Sequence, residues 1–208
     1  MRTTVMFAGD VNLRTVTDAK LPFAKITDEL KKADVLLGNL ECTFYNPADL
    51  QVQPFDGFQA PPEVAEALKI AGFKAVGTAN NGNYGDEPIV RTLKKLDSLG
   101  IQHTGSGANL EEARKPVIID AKGVKIGFLQ RTSVYWPAGH EAKAKTPGVA
   151  AFLVHTAYRI PHIRAGAHVP PLNRPGIPPE IITWADPKQL QQLRQDIEEL
   201  RSKCDIVI

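Results

Sequence analysis

Along the first two-thirds of the chain, short apolar runs that end in a glycine or a polar residue alternate with amphipathic segments of helical period. That alternation predicts an α/β fold with a layered, mixed or parallel sheet and crossover helices. Thr3 to Ala8 reads as the first strand. Leu21, Phe23, Ile26 and Leu30 have roughly helical spacing, and Asp34 to Gly38 reads as a second strand. Pro61-Pro62-Glu63 opens a helix that carries Val64, Leu68 and Ala71 and stops at Gly72, because proline and an acid both suit a first helical turn. Phe73 to Thr78 is the next strand. Asp86-Glu87-Pro88 opens a further helix with Asp86 as its N-cap, Ile89, Val90, Leu93 and Leu96 inward, and Gly100 as its end. Ile101 to Gly105 returns to the sheet, and Pro116 to Asp120 with Val124 to Gln130 reads as a hairpin about Ala121-Lys122-Gly123.

From Ser133 to Ile182 the period disappears. The segment 133–182 is rich in Pro, Gly and His and reads as an irregular insertion within a single domain spanning 1–208, a length at which loops tend to carry function. Tyr135, Trp136 and Pro137, with Tyr158 and Trp184 further on, read as an aromatic wall of a polymer cleft or as anchors of the loop to the core, the second being the commoner use. Asp186-Pro187 then starts a helix with Leu190, Leu193, Ile197 and Leu200 on one face. Cys204 to Ile208 has the look of a central strand, so the pattern suggests the N-terminal part of a longer domain.

Composition changes this picture little. With 43% hydrophobic and 23% charged residues, the 208-residue chain has enough apolar material for a sizeable core. A net charge of +2, from 25 basic against 23 acidic residues without a basic run, argues against nucleic-acid binding. Cys42 and Cys204 supply neither a disulfide framework nor a CxxC knuckle. No signal-like or membrane-spanning apolar stretch occurs, so a cytoplasmic location is the expectation for the sequence as written.

Ligands of open α/β sheets gather at the carboxyl ends of strands. The residues there are Gly9-Asp10 with Asn12, Gly38-Asn39-Leu40-Glu41, Ala79-Asn80-Asn81-Gly82-Asn83, and His103 to Gly107. Each has a plainer reading. Gly-Asp after a strand commonly makes an Asx turn, asparagines tolerate left-handed backbone, and Gly105-Ser106-Gly107 is either a turn or an anion-binding nest. His103 faces the strand ends or packs beneath the loop. The recurrence at successive strand ends favours a polar site of carboxylates and amides, donors suited to hard cations.

Phe7-Ala8-Gly9-Asp10-Val11, Gly38-Asn39-Leu40-Glu41, Thr78-Ala79-Asn80-Asn81 and Gly105-Ser106-Gly107 follow one another in the order and approximate spacing of the bacterial capsule-synthesis (CapA, poly-γ-glutamate synthesis) family. The chain resembles that family over most of residues 1–132 and more loosely from Asp186 to Ile208. The resemblance implies a metallophosphoesterase-like, four-layer sandwich. It also implies a site with Asp10, Glu41 and Asn81 as ligands of one or more divalent ions (Mn, Zn, Fe or Ca). By their places at strand ends, Asn12, Asn80 and Ser106 join the polar rim of that site and His103 is a catalytic candidate, while Arg131, after Val124–Gln130, either clamps an anionic substrate from the rim or has an ordinary surface role, the second being the commoner. The implied substrate is an anionic polymer or a phosphate-containing small molecule. The implied role is a metal-dependent hydrolase, of phosphoester or γ-glutamyl amide bonds, in capsule or poly-γ-glutamate biosynthesis.

Two departures stand against turnover. Where the family reads Asn-Asn-His, this chain reads Asn80-Asn81-Gly82, and glycine cannot pass a proton to a leaving group. The family's later histidine motifs do not occur before Ile208 either. His140, His155, His162 and His168 fall in the insertion and read as solvent-facing loop histidines. A non-catalytic binding or scaffold component of a polymer-synthesis or export assembly is therefore the alternative, and a phosphate-binding domain built on Gly105–Gly107 a third reading.

Overall fold

The computed structural model describes residues 2–50, 57–136, 138–159, 162–163, 172–173 and 178–208. They form two compact units, residues 1–151 with 195–208, and residues 152–194. The chain, read from its sequence as a single domain over 1–208, thus divides into a larger and a smaller compact unit.

The larger unit opens with β1 (Val5–Val11), then α1 (Thr27–Leu30), β2 (Val35–Leu40) and β3 (Thr43–Phe44). After a 3₁₀ turn at Pro47–Asp49 come β4 (Gln59–Ala60), a second 3₁₀ turn at Pro62–Ala65, α2 (Glu66–Ala71), β5 (Phe73–Gly77) and α3 (Asp86–Ser98). It continues with β6 (Gln102–Thr104), β7 (Ser106–Gly107), α4 (Leu110–Arg114), β8 (Val117–Ala121), β9 (Val124–Phe128) and β10 (Gly148–Val149). Strands β1, β2, β5 and β6 make a wholly parallel sheet in the order β1-β2-β5-β6.

Alternation along β2 explains the layering. Leu36 and Leu40 join Leu30, Leu68, Leu93 and Leu96 in the core beneath the helices. Val35 and Leu37 face the other way, onto Val117, Ile119, Ile126 and Phe128 of the antiparallel β8–β9 hairpin. The chain's last elements close the stack: from Gln195 onward α5 (Pro187–Arg201) belongs to the larger unit, with Leu200 fully buried, and β15 (Ile206–Val207) pairs in parallel with β9. Helices, parallel sheet, hairpin sheet and terminal helix follow in four layers, as the family resemblance implies.

The helical spacing of Leu21 to Leu30 overstates the local structure. The stretch is a chain of turns, such as Leu21 N–H to Asp18 O and Ala24 N–H to Leu21 O, and only Thr27–Leu30 is helical. Asp86 is not the N-cap of α3. Gly85 takes that position at φ 95°, a backbone conformation that a residue with a Cβ avoids, and Asp86 becomes an acid of the first turn. Within Cys204–Ile208, Ile206–Val207 forms β15, which pairs with β9 among the described residues.

Within the stretch 133–182, read from the sequence as irregular, the smaller unit contains regular strands. Strands β11 (Val154–Arg159) and β14 (Glu180–Ala185) form an uninterrupted antiparallel ribbon from Val154↔Ala185 to Arg159↔Glu180. Two-residue strands β12 (His162–Ile163) and β13 (Leu172–Asn173) pair within it. His155 stacks on Trp184, its cross-strand partner, with ring centroids 5.4 Å apart. Asp186 caps α5 through bonds from the Lys188 and Gln189 amides.

Candidate functional site

The parallel register sets Asp10 of β1 beside Asn39 of β2. Asn39 Nδ2 donates to Asp10 Oδ1 at 2.7 Å. Its own Oδ1 accepts from Asn80 Nδ2 at 3.0 Å and from Gln130 Nε2 at 2.9 Å. Asn39 therefore joins the ends of β1, β2, β5 and β9 in one chain of bonds and aims a donor at the Asp10 carboxylate. Asn80 is buried, its Oδ1 accepting from the Gly82 and Asn83 amides, which folds the loop after β5 into a tight turn. Asn83 holds the Leu40 and Thr78 carbonyls through Nδ2 at 2.8 and 2.9 Å.

Glu41, just past β2, is the second carboxylate. Burial pushes its pKa up, the nearby Asp10 charge pushes it further, and a bond from Asn12 opposes both. Asn12 Oδ1 meanwhile accepts from the Arg14 amide at 3.0 Å, leaving its NH₂ for Glu41. Asp10, Asn12, Glu41 and Asn80 thus converge as the strand-end rule expects.

Glycine at 82 is a packing requirement. A Cβ there meets Glu41 Cγ and Phe58 Cδ2 at 2.9 Å and the Glu41 carbonyl at 3.1 Å. Glu41 and Phe58 fill the space that a histidine side chain would need.

The other sequence candidates lie elsewhere. Asn81 is exposed and takes part through its carbonyl, which accepts from Trp136 Nε1 at 3.3 Å. His103 pairs with Asp97 of α3 at 3.3 Å. Its register partner is Val76, whose side chain lies on the helix side of the sheet, whereas Asn39 lies on the hairpin side. Strand geometry thus turns His103 away from Asp10, and it serves as a half-buried hydrogen-bond partner of Asp97. Ser106 is buried, with Oγ 2.6 Å from Thr78 Oγ1, so it is no rim residue. The Gly105–Gly107 loop is no free nest: Ser106 and Gly107 pair with β10, and the Gly105 amide bonds Ala113 O. Arg131 is committed to Asp196 at 2.7 Å and to the Arg114 and Gln130 carbonyls, which removes it as an anion clamp.

His140 departs furthest from expectation. It is fully buried, with Nε2 bonded to Asn83 O at 2.7 Å and Nδ1 accepting from the Trp136 amide at 3.0 Å. His155 is partly shielded by Trp184 and lies 3.5 Å from Asp186. The His162 side chain, His168 and Pro137 lie outside the described residues.

Among the described residues no group of three or more His, Cys, Asp and Glu side chains is placed to hold a metal. The set at the strand ends offers two carboxylates, donors suited to a hard cation completed by water, and lacks the imidazoles zinc prefers; the Asn39 and Asn80 side-chain oxygens each already accept two hydrogen bonds.

Residues 4–208 match the family described as bacterial capsule synthesis protein PGA_cap. The chain belongs to this family. The α/β fold, with its parallel sheet, accords with that membership. Two uncharacterized proteins of Sinorhizobium fredii (strain NBRC 101917 / NGR234), y4sH and y4uA, are 29% and 28% identical over 163 residues, 71% of this chain and 35% of each relative. The capsule biosynthesis protein CapA of Bacillus anthracis is 27% identical over 135 residues, 61% of this chain and 32% of that protein. The chain spans about a third of the length of these relatives. Among the described residues no helix is long and apolar enough to cross a membrane.

Sequence reasoning missed Asn39 and Gln130 as connectors. Gln130 ends β9 as Asn80 follows β5, so extending the strand-end rule to the hairpin sheet finds it. No local signal marks His140, whose Nε2 partner, the Asn83 carbonyl, lies 57 residues away.

Proposed function

We propose that Asp10 and Glu41 are the carboxylate limb of a divalent-cation site in a hydrolase-like member of the capsule-synthesis family, acting on an anionic polymer or phosphate-containing substrate. The observation that carries this reading is the coupled pair: two carboxylates close enough for Asp10 to raise the Glu41 pKa, each already oriented by an amide donor. Proximity of like charges costs free energy in the empty protein, and a cation between them removes that cost. A bound divalent ion supplies Lewis acidity and a lowered pKa for water. The chain's own residues do the rest. Asn39, fixed by Asn80 and Gln130, holds Asp10; Asn12 holds Glu41; and the loop closed by Asn80 walls the site.

The packed space at Gly82 favours a second reading, a non-catalytic binding or scaffold component. No imidazole fits at that position, and both ring nitrogens of His140 are engaged elsewhere. Metal loading with manganese, zinc and calcium tests the first reading on the parent and on Asp10→Ala/Glu41→Ala. Manganese or calcium retained by the parent and lost in the double variant is expected; equal binding by both sinks the cation site. Assays of a phosphodiester and a γ-glutamyl amide on the loaded protein then separate enzyme from scaffold.

A further inference from the structure

Arg14 stands two residues beyond Asn12, and the bond from its amide to Asn12 Oδ1 fixes the backbone between them. Its guanidinium carbon lies 5.7 Å from the centroid of the Phe58 ring. Phe58 Cδ2 and Glu41 Cγ both lie 2.9 Å from where a Cβ on Gly82 would stand, so Phe58 neighbours Glu41 on one side and carries Arg14 over its ring. Arg14 is exposed, and among the described residues it forms no ion pair. Arg91, Arg114, Arg131 and Arg159, by contrast, are all paired with carboxylates.

A guanidinium stacked on an aromatic face keeps its N–H edge free, and the stack reduces the freedom it must lose when it binds. The planar fork matches oxyanions in two-point fashion, phosphate and carboxylate alike. The side chain is held over Phe58 and pairs with neither Asp10 nor Glu41. We infer that Arg14 is the anion-recognition residue of the Asp10–Glu41 site, binding the phosphate or carboxylate group of the substrate. The inference rests on the cation reading, because an anion beside two carboxylates needs a cation between them. Arg14 thereby takes the role that Arg131, spent on Asp196, cannot fill.

The test uses the full chain, Arg14→Gln and Arg14→Lys, with folding of each checked by circular dichroism. Manganese binding is measured first, then binding of inorganic phosphate and, separately, glutarate in magnesium buffer. Manganese affinity within about twofold of the parent is expected in both variants. Affinity for the preferred anion should fall about tenfold or more in Arg14→Gln, equivalent to about 1.4 kcal/mol, with Arg14→Lys between. Preference for phosphate assigns the group to a phosphate ester, and preference for glutarate to a carboxylate polymer. Manganese binding with anion affinity unchanged in Arg14→Gln, or with neither anion bound by the parent, overturns the role of Arg14 alone. A parent that binds no manganese overturns the cation reading and this inference together.

Discussion

The His140 imidazole is bonded through Nε2 to the carbonyl oxygen of Asn83 at 2.7 Å, across 57 residues of sequence. Since Nδ1 accepts from the Trp136 amide, the ring is neutral and carries its proton on Nε2. Around it, Tyr84 Oη donates to Ala138 O, Trp136 Nε1 donates to Asn81 O, and the Tyr84 ring meets the imidazole edge-on. The segment from Trp136 to His140 is thereby buttoned onto the outer side of the asparagine loop, whose inner side walls the carboxylate pair.

Replacing His140 by alanine leaves the buried Asn83 carbonyl and the part-buried Trp136 amide without this partner. Each such loss costs about 1–3 kcal/mol, so a stability decrease of about 2–4 kcal/mol is expected from urea unfolding. Hydrogen exchange at the Asn81 to Asn83 amides should accelerate in step. Unchanged exchange there would show that the clamp does not hold the loop.

Burial holds the His140 pKa below the ordinary value of 6.5, with its bonds to the Asn83 and Asn80 backbone opposing. His103 is shifted the same way, again by burial against the pull of Asp97. Above about pH 6.5 both states are neutral and the stability is fully present; as the pH falls below it, the unfolded chain binds protons that the fold refuses, and stability is lost. Urea midpoints taken between about pH 7.5 and pH 5 should decline. His140→Gln, which lacks the titrating ring, should show a shallower decline, and an identical slope would assign the effect elsewhere.

A methyl group at residue 82 collides with Glu41 and Phe58. Gly82→Ala is expected to cost about 1–3 kcal/mol, as overpacking does. It should also weaken manganese binding if Glu41, whose Cγ is the atom displaced, holds the ion as proposed. Gly82→His, which restores the residue usual in the family, should be worse on both counts rather than a gain of function. Recovery of hydrolytic activity in that variant would contradict the packing argument.

The layers of the larger unit are legible in the sequence because the buried strands are continuous apolar runs and the helices have clean periods; Val35 to Leu37 and Leu93 to Leu96 suffice to place two of them. Asp10, Glu41 and Asn80 are legible for a related reason, since strand ends of a parallel sheet must converge. Side-chain direction is not legible. His103 is at a strand end too, but one register step decides which face it takes. The β11–β14 ribbon escapes notice because Val154 to Arg159 and Glu180 to Ala185 are flanked by Pro- and Gly-rich chain, and neither has a period of its own strong enough to stand out. Arg14 and Phe58 are 44 residues apart, as their numbers give, and only the fold makes them neighbours.

Asp196 receives two guanidinium groups, Arg114 at 2.6 Å and Arg131 at 2.7 Å, and so fastens α5 to the hairpin sheet of the larger unit. Burial pushes the Asp196 pKa up, but the bonds and charges of the two arginines outweigh it and hold the carboxyl below its ordinary 3.8. Its contribution is therefore present above that value and disappears as the pH falls through the folded pKa, a window well below that of the histidines. Asp196→Ala strands Arg131, whose side chain is only 9% exposed, and a loss of about 3–5 kcal/mol is expected by urea unfolding at neutral pH. Asp196→Asn, which keeps an acceptor, should lose less.

Glu41 works in the opposite sense from Asp196. Burial first, and the Asp10 charge second, raise its pKa, so the fold prefers it protonated. Its favourable contribution is present below the ordinary value of 4.5 and is lost as the pH rises through the raised one, which leaves the ionised pair destabilising at neutral pH. Glu41→Gln removes a charge while keeping the volume and an acceptor for Asn12. In metal-free buffer that variant is expected to melt higher than the parent, with the gain largest near neutral pH and vanishing in acid. Added manganese should raise the parent's melting temperature and leave the variant's nearly unchanged, since a ligand stabilises only the state that binds it. Paired melting curves in chelator and in manganese decide the matter. A Glu41→Gln protein that is less stable than the parent in chelator would mean that Glu41 is held for packing, whereas an equal manganese shift in both proteins would remove Glu41 from the cation site.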